Sequence, residues 1–164
     1  MIALSGGVDS AVSAWLLQQQ GYLVKGIYMR TWMHEEGILA DCPWQDDMQS
    51  ARSVADHLGI EFEVINMINH YQDHVVRELI EGYKHGITPN PDIICNQHIK
   101  FGALLDYALK QGYMLATGHY VQKKEIAPNT FHLLESPQDS NHQTKDQSYF
   151  LCFINKETPT YGAI

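Results

Sequence analysis

The sequence predicts an α/β protein built on an open parallel sheet with helices on both faces. Three observations carry that expectation. Short apolar runs alternate with longer stretches whose apolar residues recur at helical spacing. Glycine stands where the helical stretches end, at Gly21, Gly59, Gly86 and Gly112. Strands separated in sequence by helices pair in parallel through right-handed crossovers.

Residues 2–4 form a short apolar strand that leads into a glycine turn. Val12, Trp15, Leu16 and Leu17 then mark a helix closed by Gly21, and residues 23–29 read as a second buried strand. After a polar loop, Met48, Ala51, Val54, Ala55 and Leu58 mark a second helix face, and residues 62–65 a third strand. Tyr71, Val75, Leu79, Ile80 and Tyr83 mark a third helix ending near Gly86. Thr88-Pro89-Asn90-Pro91-Asp92 is excluded from a helix interior, because each proline removes a donor and restricts its predecessor. Leu104, Leu105, Ala108 and Leu109 give a fourth helix, and residues 114–117 a fourth strand. Further on, residues 121–123 and 131–134 suit a hairpin and 146–154 a short helix. There is no internal repeat and no low-complexity tract.

A length of 164 residues with 45% hydrophobic content fits one globular domain with a real core. No run approaches the ~18–20 apolar residues of a membrane span. The N-terminus lacks the charged start and small-residue cleavage site of a secretory signal, so no membrane association and a cytoplasmic location are expected. The net charge of −8 argues against a generally basic nucleic-acid binder, though a locally positive surface remains open. Cys42, Cys95 and Cys152 contain no C-x-x-C pair, which argues against a local zinc or iron–sulfur site, and a reducing compartment argues against a disulfide. Cys152, between aromatic and aliphatic neighbours, reads as core packing.

Two segments stand out chemically. Ser5-Gly6-Gly7-Val8-Asp9-Ser10 lies at a strand-to-helix junction. Its glycines let backbone approach an anion, and the free amides of the following helical turn point at it. Ser5 and Ser10 add hydroxyls, and Asp9 is a candidate Mg²⁺ ligand, since a carboxylate beside phosphates needs a cation between them. The plainer alternative is a Gly-Gly turn with Asp9 or Ser10 capping a helix; the complete string favours phosphate. The second segment, residues 88–96, is a proline-set loop displaying Asn90, Asp92 and Cys95 before a helix. A thiol near a helix N-terminus has its thiolate stabilised; the alternative is a structural turn with Cys95 packed beneath it. Among nine histidines, His70, His74 and His85 follow a polar helix face while His98 and His142 stand alone, a pattern of solvated surface rather than metal ligation. Trp32, Trp44 and Tyr28 suit either base stacking or packing.

The hexapeptide at residues 5–10 resembles the pyrophosphate-loop signature of the ATP pyrophosphatases that include GMP, NAD and argininosuccinate synthetases and the tRNA thiolation enzymes. Thr88 to Phe101, in the pattern T-P-N-P-D-x-x-C-N-x-x-I-K-F, resembles the central motif of the tRNA-specific 2-thiouridylase family. Ala116-Thr117-Gly118-His119-Tyr120 and Lys145-Asp146-Gln147-Ser148-Tyr149-Phe150-Leu151 match two more of its motifs in order. The resemblance implies an adenine nucleotide alpha hydrolase-like, PP-loop ATPase fold over residues 1–164, as a piece lacking downstream central and C-terminal β-rich domains. It implies adenylation of the C2 oxygen of a wobble uridine by ATP with Mg²⁺, followed by sulfur transfer to give 2-thiouridine. ATP would meet Ala3, Leu4, Ser5, Gly6, Gly7, Val8, Asp9, Ser10, Met29 and Gly118. Asn90, Pro91 and Asp92 would meet the target uridine, with Asp92 as general acid/base and Cys95 as nucleophile. His119, Lys145, Asp146 and Gln147 would contact tRNA, and a persulfide sulfur-donor protein would be a further partner. The family's second cysteine, in a downstream G-I-C-F-type segment, has no counterpart here. Two other readings stay open: a ligase or amidotransferase-type synthetase acting on a small molecule, and an ATP-binding domain without complete sulfur transfer.

Overall fold

The computed structural model describes residues 1–32, 44–128, 130–134, 146–153 and 162–163. At its centre lies β1, Ile2–Ala3, paired in parallel with β2, Lys25–Arg30, on one side and β4, Leu115–Ala116, on the other. β3, Glu61–Asn66, extends the sheet beyond β2, with Lys25 opposite Glu61 and Arg30 opposite Asn66. The order is completed by β7, Gly162–Ala163, parallel to β4. β5, Gln122–Ala127, and β6, Thr130–Leu134, form the separate antiparallel hairpin the sequence suggested.

The helices are α1, Val8–Gln19; α2, Trp44–Leu58; α3, Ile68–Tyr71; α4, Arg77–Lys84; α5, Pro91–Ile94; and α6, Leu105–Lys110. A π-helical turn, Gln72–Val76, joins α3 to α4, and a longer π-helical stretch, Cys95–Leu104, joins α5 to α6. Ser148–Leu151 is a short 3-10 helix. Among the described residues, no helix is long and apolar enough to cross a membrane.

Side chains alternate across a strand, so each central strand feeds two cores. Ile2, Leu4 and Tyr28 pack with Ala14, Ala51 and Ala55 on the α1–α2 face. Met1 and Ile27 pack with Val75, Ile94, Ile99 and Leu104 on the other face. The expected two-faced parallel sheet is therefore present. Tyr22 N donates to Leu17 O beyond Gly21, whose φ of 85° provides the left-handed residue that closes α1.

Several boundaries differ from the sequence reading. The fourth helix begins at Pro91, well before Leu104. Asn90 Oδ1 accepts from Asp92 N and Ile93 N at 3.0 and 3.3 Å, and Pro91 occupies the first turn, where a missing N–H costs nothing. In α1 the face on the sheet is formed by Ser10 and Ala14, while Val12, Trp15 and Leu16 are about half exposed. β7 was not anticipated, because two residues carry no periodicity.

The chain runs from β1 through β2 to β3 toward one edge, then returns to β4 on the opposite side of β1. That reversal is a topological switch point, which opens a crevice outside the carboxyl ends of the strands.

Candidate functional site

A cleft of about 400 Å³ occupies that crevice. Ala3, Leu4, Ser5, Gly7, Asp9 and Ser10 line it from the end of β1 and the start of α1; Tyr28, Met29 and Thr31 line it from the end of β2. Thr117, Gly118 and His119 follow β4, and Asp47, Tyr71, Cys95, Lys100 and Gln147 complete the wall.

The loop at residues 5–10 is held by its own hydroxyls. Ser10, buried, donates from Oγ to Gly7 O at 3.0 Å and accepts from Ser5 N at 3.2 Å. Ser5 Oγ lies 3.2 Å from Ser10 Oγ and accepts from Gly7 N at 3.3 Å. These serines thus fix the loop as well as face the cleft. Gly7 caps α1 without any side-chain acceptor, so the first-turn amides keep the positive end of the helix available to an anion. A Cβ on Gly6 would stand 2.7 Å from Asp47 O, which brings α2 against the loop. At Gly118 a Cβ would stand 2.6 Å from Ser10 N and 2.8 Å from Ser10 Cα. Glycine there lets the end of β4 lie directly on the start of α1.

Cys95 is partly buried within the residue 91–110 helix, where it lines the cleft. The expectation of a helix-stabilised thiolate does not hold in this structure: burial pushes the Cys95 thiol up, Lys100 opposes that, and Asp92 adds to it. Tyr71 is likewise pushed up, first by burial and then by Cys95 and Asp92. His119, with Nδ1 2.8 Å from Thr117 Oγ1 and its ring 5.8 Å from that of Phe101, is driven down to about 4 by burial and by Lys100. It is therefore neutral at physiological pH.

Gln147 Oε1 accepts from Tyr120 N at 3.1 Å, and Asp146 accepts from Ser148 N and Oγ at 3.0 and 2.6 Å. Buried Asn96 donates to Phe150 O at 2.9 Å, tying the 3-10 helix to the cysteine-bearing helix.

Of the residues singled out in the sequence, Ala3, Leu4, Ser5, Gly7, Asp9, Ser10, Met29, Cys95, Gly118, His119 and Gln147 meet around one cleft. Gly6 supports the loop from behind, and Val8 is 76% exposed. Asn90, Pro91 and Asp92 form the start of the cysteine-bearing helix and Asp146 the start of the 3-10 helix, outside the cleft lining. Lys145, Cys42 and His142 lie outside the described residues. Cys152 is exposed rather than packed in a core, because it follows the 3-10 helix instead of lying within it. His98 does not stand alone: its ring stacks 5.0 Å from His74, which stacks 6.5 Å from His70. Trp32 packs on Tyr71, Tyr28 donates to Trp44 O, and Arg30 lies over the Trp44 ring. Among the described residues, no group of three or more His, Cys, Asp or Glu is placed to hold a metal. Thr31, Asp47, Tyr71 and Lys100 were not singled out as site residues.

Fold and site define a class first: a parallel α/β domain with a glycine-containing loop at a helix start and a thiol at one switch-point cleft. The chain belongs to the family described as the tRNA methyl transferase HUP domain, whose model matches residues 1–161. It is 48% identical over 158 residues to the tRNA-specific 2-thiouridylase MnmA of Akkermansia muciniphila, covering 96% of this chain and 43% of that protein. It is 44% identical over 161 residues to the protein of the same name from Christiangramia forsetii, covering 96% and 40% respectively. With that of Pseudomonas paraeruginosa it shares 46% over 158 residues, again covering 96% and 40%. The chain thus spans about two fifths of the length of these curated relatives.

Proposed function

We propose that this chain is the ATP-using domain of a tRNA 2-thiouridylase, activating the C2 oxygen of a wobble uridine and presenting the thiol at which sulfur replaces it. The observation that carries this reading is that the residue 5–10 loop and Cys95 line the same cleft. An activation site alone would suit many synthetases. A thiol within reach of it suits a reaction in which a sulfur nucleophile displaces the activated oxygen. The family's descriptive name speaks of methyl transfer and the relatives' name of thiolation; the shared cleft favours the second.

The groove fits a nucleotide. The uncapped start of α1 suits a pyrophosphate, and Met29 and Gly118 flank it at the ends of β2 and β4. ATP supplies the adenylyl group that makes the uracil oxygen a good leaving group. Asp9, with Asp47 from α2 beside the loop, would hold Mg²⁺ together with phosphate oxygens. Neutral His119 offers a hydrogen bond or a stacking face to RNA without adding charge. Asn90, Pro91 and Asp92 would approach the base from the helix start, with Asp92 moving the proton, and Lys145, Asp146 and Gln147 would contact the anticodon stem-loop. The base must leave its stack to reach the cleft. A persulfide-carrying protein would supply the sulfur.

ATP–pyrophosphate exchange by this chain, measured with tRNA and with small amides or amino acids, tests the reading. Exchange stimulated by tRNA is expected. Exchange driven by a small metabolite alone would overturn it in favour of a ligase. Cys95→Ala is expected to retain exchange and, in an assay supplied with the complete thiolation machinery, to form no 2-thiouridine.

A further inference from the structure

Among the described residues lining the cleft, Lys100 is the single lysine or arginine, and the way it reaches the cleft is unusual. It lies five positions after Cys95, inside the π-helical stretch Cys95–Leu104. In an α-helix of 3.6 residues per turn, positions five apart face well away from each other. The i→i+5 bonding of a π-helix widens each turn and brings positions five apart closer to one side than an α-helix does, and such segments concentrate at functional sites. Both side chains accordingly line the same cleft. The stretch is anchored on both sides: Ile99, Phe101 and Leu104 are buried in the core, and Asn96 is tied to Phe150. Gly102 belongs to the same device, since a Cβ there would stand 3.1 Å from Gln97 O.

We propose that Lys100 is a positioning residue for Cys95: the π-winding delivers its ammonium to the cleft as the counter-charge that favours ionisation of the sulfur against its buried surroundings. The proposal rests on Cys95 being the working thiol. Loss of the thiol proton goes to solvent, and no other bond changes. The surroundings leave Lys100 this task. Asp92 on the same helix raises the thiol, Tyr71 from α3 is itself held protonated, and His119 beyond β4 is neutral. Asp9 and Asp47 across the cleft bring negative charge. Lys100 acts on Cys95 against burial and acts on His119 in the same sense.

The test is iodoacetamide alkylation of Cys95 as a function of pH, in the full chain with Cys42→Ser and Cys152→Ser. Lys100→Met is expected to slow alkylation near pH 7 by about tenfold and to move the profile to higher pH, as loss of an opposite charge in the same cleft does. Lys100→Arg is expected to restore most of the rate. The parent chain provides a second reading that needs no variant: raising the salt concentration should move its own profile upward as the counter-charge is screened. Superimposable profiles for parent and Lys100→Met, or a parent profile indifferent to salt, would overturn the proposal. Alkylation requires neither ATP nor tRNA, so a failed thiolation reading and a failed counter-charge are told apart.

Discussion

Gly118 gives the sharpest mechanical test of how the cleft is built. Replacing it with alanine places a Cβ 2.6 Å from Ser10 N, 2.8 Å from Ser10 Cα and 3.1 Å from the Asp9 carbonyl carbon. Against an ordinary contact of 3.4 Å, the first is short by about 0.8 Å, and every atom it meets is backbone. No rotamer change relieves such a clash, so the start of α1 must move away from β4. Overpacking of this kind costs about 1–3 kcal/mol. In a chain of this size that lowers Tm by roughly 2–4 °C per kcal/mol. The displaced atoms include the first-turn amides proposed to meet phosphate, so ATP affinity should fall by at least about tenfold for each 1.4 kcal/mol of lost complementarity. Gly7→Ala is the control for unfolding alone, because its Cβ would meet only Ser5 Oγ at 3.4 Å. Thermal unfolding of both variants and calorimetric ATP titration of Gly118→Ala make the comparison. If Gly118→Ala unfolds and binds ATP like the parent, the packing argument is wrong.

Asn90→Ala removes the acceptor of Asp92 N and Ile93 N. It should destabilise the chain by about 1 kcal/mol in urea unfolding, with Asn90→Asp close to neutral. An equal loss in both variants would mean that the cap contributes little. His119 should titrate near pH 4 by NMR, from its ordinary 6.5, because burial and Lys100 disfavour the cation. The sign follows from the lowered value: as pH falls from 6.5 to 4 the unfolded chain takes up a proton that the folded chain refuses, so stability declines across that window. His119→Gln should flatten this part of the pH–stability curve, and a resonance titrating near 6.5 would contradict the buried placement.

The layout of the sheet was legible because its strands are short apolar runs with helices between them, and the two alternating faces of β1 and β2 built two cores. Ser5, Gly7, Asp9, Ser10, Cys95, Gly118 and His119, which line the cleft, were legible through their motifs, and Met29 through its place at the end of a strand. Lys100 sat inside one of those motifs, yet nothing marked it as a neighbour of Cys95. Helical spacing is read at 3.6 residues, and a π-helical stretch violates that period without any sequence sign of its own. Pro91 misled for a related reason: read as a helix breaker, it is the first-turn residue of the helix that carries the thiol. Tyr71 and Asp47 reach the cleft from α3 and α2, a tertiary placement that no local window contains.

The charge pattern of the cleft constrains how a polyphosphate would be held. The chain carries a net charge of −8, and Asp9 and Asp47 face the same space as Lys100. His119 stays neutral above about pH 4 and brings no compensation. Among the described residues lining the cleft, Lys100 is the single lysine or arginine, so under the proposed reading much of the work falls to the oriented amides at the start of α1, whose partial charge needs no counter-ion. The two carboxylates become favourable only with a divalent ion between them and the phosphates. Among the described residues no ready-made metal group exists, so under the proposed reading the ion would enter with the nucleotide. Under that reading the backbone contact at Gly118, which sets where the first-turn amides of α1 stand, bears directly on nucleotide affinity.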